Sequence, residues 1–82
     1  MLNIEAGPYE LIRKAEKGTT YDKVTLCMMS DQSVSERHYN SYGNVTSQKS
    51  YPSVDIDHAM KKIEILIERL KKSDYLQPGE VA

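Results

Sequence analysis

The sequence predicts an α+β fold in which a three-stranded antiparallel sheet packs against a long C-terminal helix, with a short helix in front, in the order α-β-β-β-α. Three observations carry this expectation. They are an apolar pattern of helical period after Pro52, a strand-like alternation from Lys23 to Met29, and a Gly-Asn pair between two stretches of Tyr, Ser, Thr and Val. At 82 residues the chain has room for one small core. That core is expected within a single domain over residues 1–75, with residues 76–82 as a flexible tail.

The first element is expected to be a helix between Gly7-Pro8 and Gly18, because Pro is favoured at the first helical position and Gly just past the last. Leu11, Ile12 and Ala15 give it a narrow apolar stripe. Glu10 stands four residues before Lys14, a pairing that contributes only about 0.2–0.5 kcal/mol, so packing has to hold this helix in place.

The run from Lys23 to Met29 puts Val24, Leu26 and Met28 on one face and Thr25, Cys27 and Met29 on the other. A strand apolar on both faces is expected to be central in its sheet or covered on both sides, and a second protomer could supply that cover. Ser30-Asp31-Gln32-Ser33 has turn composition.

Two further strands are expected at about 34–42 and 45–51, joined by a two-residue turn at Gly43-Asn44. This register pairs Tyr42 with Val45, Asn40 with Ser47, His38 with Lys49 and Glu36 with Tyr51. Val34, Tyr42, Val45 and Tyr51 then point toward the helices. Ser35, Arg37, Tyr39, Ser41, Thr46, Gln48 and Ser50 share the opposite, solvated face, with Tyr39 at its centre.

The final helix is expected from about Val54 to Lys72, started by Ser53 or Asp55 and ended before Pro78-Gly79. At about 100° per residue, Ala59, Met60, Ile63, Leu66, Ile67 and Leu70 fall in an arc of about 120°, the width of a core-facing stripe. Asp55 and Asp57 sit at the positive end of the helix dipole, Lys71 and Lys72 at the negative end. Ile65 departs from the pattern, lying on the polar side with His58, Lys61, Arg69 and Lys72. Residues 73–82 read as loosely attached.

Composition narrows the chemistry. The apolar fraction of 39% is lean against a usual figure of about 45–50% that also counts Gly, and the aromatic content is six Tyr with no Phe or Trp. Each buried Tyr needs a partner for its hydroxyl, so the tyrosines belong to a wet core or to a displayed surface. Net charge is −1, and basic and acidic residues balance within each third of the chain. A binder of nucleic-acid phosphates concentrates Lys and Arg on one element, which this chain does not do. One cysteine excludes an internal disulfide, and no apolar run approaches the roughly 18 residues that cross a bilayer. The N-terminal residues lack the basic and apolar regions of a secretory signal, so the expected location is cytoplasmic, and the Asn44-Val45-Thr46 tripeptide is read as a coincidental glycosylation match.

No catalytic or metal motif stands out. Cys27, His38, His58, Asp55 and Asp57 show no ligand spacing such as C-x-x-C or H-x-x-x-H, and Asp55 and Asp57 face different directions on a helix. Cys27 has no base near it in sequence, and the four glycines form no phosphate-binding loop. The expectation is a protein without enzymatic activity, metal or cofactor.

Two surfaces remain for work. The sheet face carrying Arg37, Tyr39 and Gln48 is the expected partner-binding surface, and Met29, Ile65 and His58 are the expected self-association residues of a homodimer. The expected function is a small regulatory protein acting by protein–protein contact, as inhibitors from phages and mobile elements act on host defence proteins. The alternative is a nucleic-acid-binding module using Arg37, Tyr39 and Lys49, although Lys49 falls on the opposite face from the other two. In outline the topology is similar to double-stranded-RNA-binding domains, and its sheet-then-helix half resembles the arm-binding domains of phage integrases. Asp55 and Asp57 occupy the helix start where such domains place basic residues, so the resemblance implies a fold and no functional residues.

Overall fold

A computed structural model describes residues 3–14, 21–77 and 79. Four strands and one helix follow in order: β1 (Ile4–Lys14), β2 (Tyr21–Met29), β3 (Val34–Tyr39), β4 (Val45–Tyr51) and α1 (Ile56–Lys72). The strands form one antiparallel sheet in the order β1-β2-β3-β4, each hydrogen-bonded to its neighbour in sequence. The fold is α+β, and among the described residues it has four strands where three were expected and no short N-terminal helix.

The expected N-terminal helix is strand β1 as far as Lys14, and its remaining residues 15–18 lie outside the described residues. A period of two prevails over the helical one because β1 can pair with β2 along nearly its whole length. That pairing seats Leu11 beside Val24 on the inner face with no exposed surface. The Gly7-Pro8 pair that suggests a helix start instead occupies an irregularity in the β1–β2 ladder between Ala6 and Tyr9. Gly7 has a φ of +100°, and a Cβ there would lie 2.7 Å from the Leu26 carbonyl oxygen, so only glycine allows the two backbones to approach this closely.

β2 is central, between β1 and β3, and its faces divide as the alternation predicts. Val24, Leu26 and Met28 are buried on the inner face, where they meet Ala59, Ile63, Leu66 and Leu70 of α1. At about 1.5–3 kcal/mol for each fully buried aliphatic side chain, this layer is the main source of stability. Asp55 caps the helix, its carboxylate accepting the His58 N–H at 2.8 Å. The helix lies mainly over β2 and β3 and reaches β4 at Tyr51, where Lys62 Nζ lies 5.8 Å from the ring centre.

The β3–β4 connection is longer than the predicted two-residue turn. β3 ends at Tyr39, and Asn40 Oδ1 accepts the N–H groups of both Tyr42 and Asn44, with Gly43 at a φ of +84°. The register therefore pairs Arg37 with Gln48 and Glu36 with Lys49, two residues away from the expected one. A slip of two keeps every side chain from Val34 to His38 on its expected face, where a slip of one would have inverted them all. Tyr42 and Val45, expected to face the helices, are 87% and 50% exposed, because they lie in the turn and just beyond it, away from the helix footprint.

The chain after α1 is held more firmly than its composition suggests. Tyr75 is 6% exposed and joins the core, with the Arg13 guanidinium 4.5 Å above its ring centre. Arg13 also donates to the Ser73 carbonyl, and Leu76 exchanges two backbone hydrogen bonds of 2.8 Å with Ile12. Part of the outer edge of β1 is thereby closed.

Candidate functional site

The face of the sheet turned away from α1 is organised in rows that cross the strands. Glu10, Thr25, Arg37 and Gln48 form one row across all four strands, and Cys27, Ser35 and Ser50 form the next. This face is concave and encloses a trough of about 370 Å³, reaching from Ile4 and Pro8 on β1 to Gln48 and Ser50 on β4. Its floor is β2, where Thr25 is 9% and Cys27 8% exposed although, among the described residues, no second layer covers them. The flanking rows of longer side chains enclose these two.

Charges in the trough are unevenly matched. Lys23 lies 3.6 Å from the Glu10 carboxylate and 4.8 Å from the centre of the Tyr39 ring, so its ammonium is engaged twice. Arg37, at the centre, makes no hydrogen bond or ion pair among the described residues. The site thus offers a planar fork of donors with no acceptor, beside the Gln48 amide, two serine hydroxyls and an aromatic ring. Such a set can receive a carboxylate and pack against the chain that bears it. Burial pushes the Cys27 thiol up, and the Arg37 charge only partly opposes this. The sulfur stays protonated near neutral pH, which makes it a poor nucleophile.

The structure brings Arg37, Tyr39 and Gln48 into this one trough, and Met29 lines its end opposite Ile4. His58 and Ile65 lie elsewhere, on the solvent side of α1. The His58 ring accepts the Val54 N–H through Nδ1, and Ile65, 56% exposed, sits in a shallow depression with Glu64, Glu68, Arg69 and Lys72. The three expected self-association residues are therefore on opposite sides of the molecule. Lys49 is on the inner face beside Glu36, away from Arg37 and Tyr39. Among the described residues no group of three His, Cys, Asp or Glu is placed to hold a metal ion, and no helix is long and apolar enough to cross a membrane.

Sequence reasoning missed a polar cluster on the inner face. Glu36, 6% exposed, accepts a 2.7 Å hydrogen bond from the Tyr51 hydroxyl and another of 2.7 Å from His38 Nε2. Burial pushes the Glu36 carboxyl up, but the hydrogen bonds from Tyr51 and His38 and the charges of His38 and Lys49 outweigh it and hold the group below its ordinary value. The same bond to Glu36, with burial, pushes the Tyr51 hydroxyl up and keeps it a donor. The signal was present: Glu36 and His38 stand two apart in a strand and so share a face, and Tyr51 was expected on that face too.

Compared with protein-family models, curated proteins and solved structures, the chain matches none of them. What the fold and the trough define is a four-stranded antiparallel meander sealed on one face by a helix and left open on the other.

Proposed function

We propose that this chain is a small non-enzymatic binding protein that docks a protein partner on its open sheet face. The observation that supports the reading best is the trough crossing all four strands, with Arg37, unpaired among the described residues, at its centre and Tyr39 and Gln48 beside it. A concave surface of mixed polarity with one aromatic ring and one arginine has the makings of a binding centre, since Tyr and Arg dominate the energetics of protein interfaces. Occupying a partner's surface requires no chemistry, and it is the mode by which a small inhibitor of the kind phages and mobile elements carry would act on a host defence protein.

The test is affinity capture from the source cells with the wild-type chain and with Tyr39→Ala and Arg37→Glu variants, each first verified as folded by circular dichroism. A defined protein retained by the wild type and lost by both variants is the expected result. Recovery of the same proteins by all three chains would place the contact elsewhere. Retention of nucleic acid alone, eluting steeply with salt, would favour the nucleic-acid alternative.

A further inference from the structure

We infer that the partner enters as an extended segment that adds a fifth strand to the open edge of β4 and presents a carboxylate to Arg37. This deepens the reading above and rests on it. The edge itself is the first observation. β4 ends the sheet order, and among the described residues no backbone group pairs with its outer side, whereas β1 at the other end is partly closed by Leu76. α1 reaches β4 at Tyr51, whose ring centre lies 5.8 Å from Lys62 Nζ, whereas residues 45–50 are exposed, so among the described residues nothing covers that length of the edge. A row of unpaired N–H and C=O groups is a template for another strand, and β4 carries only Lys49 among the charges that usually protect an edge.

Charge is the second observation. A residue added opposite Gln48 would extend the row Glu10, Thr25, Arg37, Gln48 by one position and put its side chain on the trough side. That position is two strand spacings, about 10 Å, from Arg37, within the combined reach of an arginine and a glutamate that meet above the Gln48 amide. Lys23 is already engaged by Glu10 and Tyr39, so among the described residues Arg37 carries the unmatched positive charge of this face. An acidic side chain at that position complements it, and a basic one does not. Backbone pairing would supply the affinity, and the row position would supply the choice of residue.

The experiment is selection of a displayed library of random decapeptides on the full chain, followed by titration of the enriched peptides and amide hydrogen exchange of the complex. The expected result is enrichment of Asp or Glu within extended, β-branched sequences, new protection of β4 amides on binding, and a loss of about tenfold in affinity for Arg37→Gln. Methylating alternate backbone nitrogens of the peptide should abolish binding in one phase and spare it in the other, as strand addition requires. Peptides that bind without protecting β4, or equally well to Arg37→Gln, would overturn the strand-addition mode while leaving the open face as a docking surface. No enrichment, together with capture of a folded partner that depends on Tyr39 and Arg37, would do the same. Partner binding indifferent to Arg37, Tyr39 and Gln48 would overturn both, and preferential binding of single-stranded nucleic acid at this edge would replace a peptide with another class of ligand.

Discussion

Replacing Tyr51 with Phe removes one hydroxyl and tests whether Glu36 is an ionised, hydrogen-bonded carboxylate in the folded protein. The Tyr51–Glu36 oxygen separation of 2.7 Å is that of a charge-assisted bond, and the Glu36 side chain is only 8% exposed, so the bond is poorly screened. Hydrogen bonds to charged groups contribute about 1.5–3 kcal/mol, and because Tyr51 is only half-buried the lower end applies. A loss of about 1.5 kcal/mol lowers Tm by about 6–12 °C in a domain of this size. The pH dependence follows from the direction in which Glu36 is shifted. A carboxyl held below its unfolded value contributes stability that is present above that value, about 4.3, and is lost as pH falls through the folded one. The cost of Tyr51→Phe should therefore be full at about pH 7 and smaller at an acidic pH low enough for Glu36 to take up a proton. Urea and thermal unfolding of Tyr51→Phe, Glu36→Gln and the double variant, followed by circular dichroism at both pH values, give the coupling directly. We expect the two substitutions to couple by about 1 kcal/mol at the higher pH. A Tyr51→Phe cost below about 0.5 kcal/mol, or one that is the same at both pH values and in the Glu36→Gln background, would mean that Glu36 is not an ionised acceptor of the Tyr51 hydroxyl.

Two other predictions concern the ends of the sheet. Gly7→Ala should destabilise by about 2–4 kcal/mol in urea unfolding, because a positive φ and a 2.7 Å contact with the Leu26 carbonyl act together. Gly43→Ala, also at a positive φ but in open space, should cost only about 1 kcal/mol and serves as its control. Tyr75→Ala should cost about 3 kcal/mol and speed hydrogen exchange at the Ile12 amide, which pairs with Leu76, since the buried ring holds that segment against β1. Unchanged exchange at Ile12 would show that the Leu76 bridge stands without Tyr75.

The helix was legible in the sequence because its information is local. Ala59, Ile63, Leu66 and Leu70 recur at helical spacing, and Asp55 can cap only the residues directly after it, so packing had nothing to overturn. The two faces of β2 were legible for the same reason, and so was the shared face of Arg37, Tyr39 and Gln48. β1 was not. Leu11 and Ile12 are adjacent and fit a helical stripe as well as an alternation, and a Gly-Pro pair serves a helix start or a ladder irregularity equally. Only the presence of β2 alongside, with Leu26 and Cys27 against Gly7, decides between them.

By itself, then, the sequence determined the C-terminal helix, the core stripe it presents and the alternation that separates an apolar face from a polar one. These depend on residues within a turn or two of each other along the chain. The tertiary structure alone decided that the N-terminal segment is a strand, that Arg37 stands opposite Gln48, that Glu36, His38 and Tyr51 meet, and that Tyr75 and Leu76 fasten the end of the chain to β1. Each of these joins residues brought together by strand pairing or chain return, and pairing energy exceeds the few tenths of a kcal/mol, about the size of a helix-surface pair, by which local preference separates one backbone conformation from another.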